Sequence, residues 1–132
     1  MSDEPCGCVL LADRHHGFSE GVRGLLETAF GTVVMVADEA SLLEVADRLR
    51  PDVVIVDLSL TREGGLTWLA SLRERCPDLK LIVLSVHDEQ TVQRAVLKAG
   101  ADVVVLKRAI STELLSTVDR LREPVVRGSA AE

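Results

Sequence analysis

The stretch Pro51-Asp52-Val53-Val54-Ile55-Val56-Asp57-Leu58-Ser59-Leu60 decides how the chain is read. Val53 to Val56 form an unbroken β-branched run of strand length, and the run stops at a carboxylate. A continuous apolar run suits a strand covered on both faces, as in a parallel sheet flanked by helices. The same pattern recurs to either side. Cys8–Ala12 and Val33–Ala37 precede it, and Leu81–Leu84 and Val103–Leu106 follow.

Segments with helical spacing separate these runs. Val22, Leu25, Leu26, Ala29 and Phe30 make one stripe, and Leu42, Leu43, Val45, Ala46 and Leu49 make a second. Ser41 with Glu44 three residues on reads as a capping box opening that second helix. A third helix is expected to carry Leu66, Leu69, Ala70 and Leu72 and to stop before Pro77. A fourth should run from an Asp88 cap through Val92, Ala95, Val96 and Ala99 to Gly100. A fifth should start at Ser111, bury Leu114, Leu115, Val118 and Leu121, and end at Pro124. Strand and helix thus alternate five times. Because crossovers between parallel strands are right-handed, the alternation predicts an α/β fold with helices on both faces of a five-stranded parallel sheet.

Composition bounds the rest. With 132 residues, 47% of them hydrophobic, the chain fits one globular domain. Phe18, Phe30 and Trp68 are its aromatics, so aliphatic side chains must fill the core. The expected layout is an N-terminal extension over 1–7, the domain over 8–123 and a flexible tail over 124–132. A formal net charge of -6 and no basic cluster argue against direct nucleic-acid binding. No apolar run approaches a membrane span and no signal pattern opens the chain, so a soluble cytoplasmic protein is expected. Cys6, Cys8 and Cys76 are too few and too poorly spaced for a disulfide framework. Cys6-Gly7-Cys8 lacks a fourth ligand pattern for zinc.

Ligands of open parallel sheets bind outside the carboxyl ends of the strands. The residues that follow the five runs are Asp13, Asp38, Asp57, Ser85 and Lys107. In the strand order 2-1-3-4-5, Asp13, Asp57, Ser85 and Lys107 would converge on one crevice, with Asp38 at an edge. A carboxylate can act as a nucleophile toward phosphorus, giving an aspartyl-phosphate. The added group carries roughly -1.5 to -2 charge and three acceptor oxygens. An ammonium and a hydroxyl suit those oxygens.

These stretches resemble the receiver domains of bacterial response regulators over about residues 8 to 122. Leu11-Ala12-Asp13-Arg14-His15 is similar to the family's acidic motif after the first strand. The Pro51–Leu60 stretch is similar to its phosphoacceptor strand, and Gly65 falls where the family opens its third helix. Val83-Leu84-Ser85 and Ala99-Gly100-Ala101 through Lys107 complete the set. Leu84-Ser85-Val86-His87-Asp88 is similar to the branch often joined to a helix-turn-helix domain. The resemblance implies a flavodoxin-like receiver fold and phosphate transfer to Asp57 from a histidine kinase or phosphotransfer protein. It implies Mg²⁺ held by the second acid of the first pair, by Asp57 and by the backbone carbonyl of Ser59, with Asp13 helping through water. Ser85 and Lys107 would contact the phosphoryl group, and a homodimer through the fourth helix, fifth strand and fifth helix would be possible.

Four positions depart from the pattern. Arg14 stands where the second metal-binding acid belongs, and a guanidinium cannot ligate Mg²⁺. At ~4 Å and an effective dielectric near 20, one unit-charge pair is worth roughly 4 kcal/mol, so Mg²⁺ binding should be weakened. Arg14 could pair with Asp13 or Asp57 in the cation's place, or point into solvent with water or His15 partly filling the gap. Val104 replaces the Tyr or Phe whose rotation follows the hydroxyl on the fourth strand, so the aromatic switch is missing. Thr61 replaces a proline common in the family. Val86 is bulkier than usual and could narrow access to Asp57. A pseudo-receiver serving only as a docking or dimerisation module is therefore the alternative reading. His15, His16 and His87 lie near the crevice, where solvated loop histidines are the ordinary case. An enzyme on the same fold is disfavoured. The dehalogenase-type phosphatases need a second aspartate where His15 stands, and His15-His16-Gly17-Phe18-Ser19 is a poor flavin phosphate loop.

Overall fold

The computed structural model describes residues 7–60 and 65–122, with His16, Gly17 and Ser19 described through their backbone alone. The expectations for Cys6, the His16 side chain, Thr61, Pro124 and the two terminal segments lie outside the described residues. Strand and helix alternate in the expected order. They are β1 (Cys8–Ala12), α1 (His16–Leu26), β2 (Thr32–Val36), α2 (Glu39–Leu49), β3 (Val53–Asp57), α3 (Thr67–Arg75), β4 (Lys80–Ser85), α4 (Gln90–Ala99), β5 (Val103–Leu106) and α5 (Ile110–Arg122). Short 3-10 turns follow β3 at Leu58–Leu60 and β5 at Lys107–Ala109.

The strands form one parallel sheet in the order β2-β1-β3-β4-β5. Side chains alternate across it with period two. Leu10, Ala12, Val54, Val56, Leu81 and Val83 pack toward α2, α3 and α4. Val9, Leu11, Val53, Ile55, Ile82 and Leu84 pack toward α1 and α5. This explains why β3 tolerates no polar residue before Asp57: every side chain of Val53–Val56 enters a core. Ala12 pairs with Val56 in the ladder, which sets Asp13, the next residue, beside Asp57.

Several helix boundaries correct the reading from sequence. The capping box at Ser41 and Glu44 does not open α2. Asp38 lies in extended conformation and its carboxylate accepts from the backbone N–H of Ser41 at 2.8 Å, so the cap lies three residues earlier and the helix begins at Glu39. Those hydrogen bonds hold the Asp38 carboxyl below its ordinary range. Asp88 does not cap α4 either. Its carboxylate pairs with Arg108, and α4 follows Glu89 with no side-chain cap. In α3 the buried face carries Trp68, Leu69 and Leu72 while Ala70 is exposed. The Trp68 indole N–H donates to the Gly65 carbonyl at 3.0 Å, which satisfies its one polar atom and lets the ring enter the core. Ala95 of α4 is also exposed, leaving Val96 as the helix's buried anchor. At the edge, β2 starts at Thr32 and ends at Val36, leaving Ala37 outside it.

The expected Gly100 cap of α4 is present, with φ +135°, and a Cβ there would meet Arg73 Cβ at 2.9 Å. The Arg73 guanidinium explains the close approach. It donates to the carbonyls of Gly100, Pro77 and Leu79 and to the Asp102 carboxylate, clasping α3 to the entries of β4 and β5.

Candidate functional site

The sheet order reverses between β1 and β3, and the carboxyl ends of these strands open the crevice where such folds bind ligands. Asp13 leaves β1 into it and Asp57 ends β3 in it, 4% and 1% exposed respectively. A buried carboxylate needs partners. Asp57 Oδ1 accepts from both the backbone N–H of Ser59 at 2.8 Å and the Ser59 hydroxyl at 2.7 Å. Its Oδ2 is paired with the ammonium of Lys107, which comes from the end of β5. The same ammonium stands 4.5 Å over the Phe18 ring in the first turn of α1, a second attraction that fixes its position. Burial would push the Asp57 carboxyl up, yet Lys107 and the two Ser59 donors outweigh it and hold the group below its ordinary range.

Asp13 balances the other way. Burial is its largest influence, the Asp57 charge adds to it, and together they hold the carboxyl above its ordinary range against the backbone N–H of His15, Lys107 and the His15 ring. Its Oδ1 accepts from the His15 backbone N–H at 2.8 Å, and its buried Oδ2 has no hydrogen-bond partner among the described residues. The His15 ring Nδ1 lies 3.4 Å from Asp13 Oδ1. One donor atom from each of Asp13, His15 and Asp57 falls within 4.8 Å of the others.

Of the sequence-derived residues, the structure brings Asp13, Asp57 and Lys107 together. Ser85 is buried at the end of β4, where its hydroxyl accepts from the His87 backbone N–H at 2.9 Å and is turned to its own loop. Arg14 is exposed, and no ion pair joins it to Asp13 or Asp57 among the described residues. Val104 sits half-buried in β5, paired in register with Val83 and packed on the core. Asp38 lies at the sheet edge, spent on its helix cap. Val86 is 66% exposed on the rim of a cavity of about 690 Å³, which reaches Asp57 between Leu58, Leu66, Val92 and Ala95. Two contributors escaped the sequence reading. The Ser59 hydroxyl could have been suspected, because a short hydroxyl two residues past an aspartate readily closes onto it. Phe18 carries no such local signal, whereas His15 was already placed near the crevice.

The sequence profile of the response regulator receiver domain matches residues 9–119. The chain belongs to this family. Among similar curated proteins, the receiver is 32% identical over 112 residues to the transcriptional regulatory protein DegU of Brevibacillus brevis, covering 83% of this chain and 48% of that protein. It is 35% identical over 112 residues to the nitrate/nitrite response regulator protein NarP of Escherichia coli K12, covering 83% and 52%. This receiver therefore spans about half the length of those relatives. Among solved structures, the signal receiver domain of the putative response regulator NarL from Mycobacterium tuberculosis superposes with a TM-score of 0.78 at 27% identity, over 91% of this chain and 99% of that one. The flavodoxin-like receiver fold expected from the resemblance is the fold observed. Among the described residues, no helix of this receiver is long and apolar enough to cross a membrane.

Proposed function

We propose that Asp57 is the phosphoacceptor, charged by a histidine kinase or phosphotransfer protein, with Asp13, Ser85 and Lys107 around it. The observation that carries this reading is the state of the Asp57 carboxylate. It is buried and ionised beside a fixed ammonium, with a cavity leading to it. A carboxylate offers about four lone-pair sites. Ser59 takes those of Oδ1 and Lys107 takes one on Oδ2, leaving a pair on Oδ2 for attack. That pair forms an O–P bond as the P–N bond of a phosphohistidine breaks, and the leaving imidazole takes up a proton. Lys107 then moves its charge from the carboxylate to a phosphoryl oxygen. Ser85 reaches another oxygen once its hydroxyl leaves the His87 N–H.

A divalent cation, when bound, supplies charge neutralisation between the carboxylates and the incoming group. Asp13 and Asp57 would hold it, with the Ser59 carbonyl as a further oxygen, and the orphaned Asp13 Oδ2 fits that role. Arg14 in place of an acid should make Mg²⁺ binding weak. With Val104 in place of an aromatic ring, the signal has to pass through the Ser85 loop and α4. The α4-β5-α5 face, with Leu97 44% exposed on α4, is the surface for a homodimer or other partner.

A pseudo-receiver is the second reading, and one observation favours it: Lys107 already occupies Asp57 in the manner of an internal counter-ion. Incubation with acetyl phosphate and Mg²⁺, read by intact mass, separates the two. A single phosphoryl adduct that is missing from Asp57→Asn supports the phosphoacceptor. An unmodified chain, under conditions that label an ordinary receiver, supports the docking module.

A further inference from the structure

We propose that Asp13, His15 and Asp57 form a site that prefers an imidazole-seeking transition-metal ion, such as Zn²⁺, over Mg²⁺. The proposal rests on the reading of Asp57 as the centre of the site and departs from the family's metal. Two carboxylates and an imidazole each bring one donor atom to within 4.8 Å of the others. The carboxylate oxygen Asp13 Oδ2 is buried without a hydrogen-bond partner among the described residues, on a residue 4% exposed, and so has coordination left to give. His15 is held close by its own backbone. Its N–H donates to Asp13 Oδ1, and the ring Nδ1 stands 3.4 Å from that oxygen. Two ligands on a tetrahedral ion with bonds of roughly 2.0–2.1 Å stand about 3.4 Å apart.

Donor chemistry makes the choice of metal. Mg²⁺ demands a near-octahedral shell of oxygens and gains nothing from an imidazole. The oxygen ligand it would want from the residue after Asp13 is replaced by the exposed guanidinium of Arg14. Imidazole suits zinc, copper, iron and nickel, and a nitrogen with two carboxylates is a three-ligand set that leaves one position open for water or a phosphoryl oxygen. The His15 ring is 51% exposed and lines the same open cavity as Asp57. The charge works in the same direction. Two carboxylates set against the Lys107 ammonium leave the pocket net negative before any metal enters.

Calorimetric titration of the full chain with Zn²⁺ and with Mg²⁺, with no phosphodonor present, tests the proposal. One Zn²⁺ per chain is expected, bound at least about a hundredfold more tightly than Mg²⁺. His15→Ala and His15→Gln should each weaken Zn²⁺ by more than about tenfold and leave Mg²⁺ unchanged, with circular dichroism confirming the fold. Zn²⁺ affinity that survives both substitutions, equal affinity for the two ions, or binding lost instead with Cys6→Ser/Cys8→Ser would overturn it. A chain that binds Zn²⁺ through His15 yet accepts no phosphoryl group would sink the phosphoacceptor reading alone.

Discussion

At the scale of single residues, the site is a contest between burial and charge. Asp57 wins its ionisation from Lys107 and Ser59, while Asp13, buried nearby with fewer donors, pays for its charge. Because the folded chain raises the Asp13 carboxyl, its charged form costs stability at every pH above the raised value. The isosteric Asp13→Asn should therefore stabilise the protein at pH 7, since the amide oxygen still accepts the His15 N–H. The gain should shrink as the pH falls through the window between the ordinary carboxylate value and the raised one, where the native Asp13 itself takes a proton. Urea melts at pH 7 and at successively lower pH check this, and a gain that does not vary with pH would contradict it. Arg14 carries the opposite charge to the acid expected there. Arg14→Asp should raise Mg²⁺ affinity by about tenfold, less than the full pair energy because the position is exposed and screened. Calorimetry reads that change directly. Lys107 follows β5 and Asp57 ends β3, so each was visible as a polar residue closing an apolar run. Their convergence followed from the expected strand order, whereas the direct ion pair between them did not. His15 was placed near the crevice from the sequence, but the approach of its ring to Asp13 was not, since a loop has no periodicity to read.

The elements show where pattern reading succeeds and where it slips. β1 and β3 were legible because burial on both faces demands an unbroken apolar run, and no other structure of that length fits between such helices. The start of α2 was not. Ser41-Leu42-Leu43-Glu44 has the spacing of a capping box, but Asp38 caps the helix first, accepting from the Ser41 N–H. Trp68 was not placed on the buried face of α3, where its indole N–H is satisfied by the Gly65 carbonyl. The Arg73 clasp was equally hidden, as its partners lie up to 29 residues away. It ties α3 to the residues just before β4 and β5, at the opposite end of the sheet from Asp57. Arg73→Ala should cost about 2–4 kcal/mol in urea unfolding, since buried carbonyls lose their donors. Arg73→Lys should recover only part, because an ammonium lacks the planar fork that reaches four acceptors. Equal stability of the three proteins would show the clasp to be idle. Metal binding at the far end should not change in either variant.

For the whole molecule, a sheet with two apolar faces leaves polar chemistry only at the strand ends, and the strand order decides which ends meet. That is why an α/β fold built almost without aromatics still assembles a charged pocket from residues 13 to 107. It is also why Val104, packed on the core, can stand where an aromatic ring was expected without dismantling the pocket. The central claim, that this topology makes one aspartate the nucleophile, is tested most directly by trapping the product. The chain is charged with acetyl phosphate, reduced with borohydride and mapped by peptide mass spectrometry. An acyl phosphate on Asp57 should appear as homoserine at that position and nowhere else. Homoserine at Asp13, or at neither aspartate while an ordinary receiver is labelled in parallel, would contradict the account.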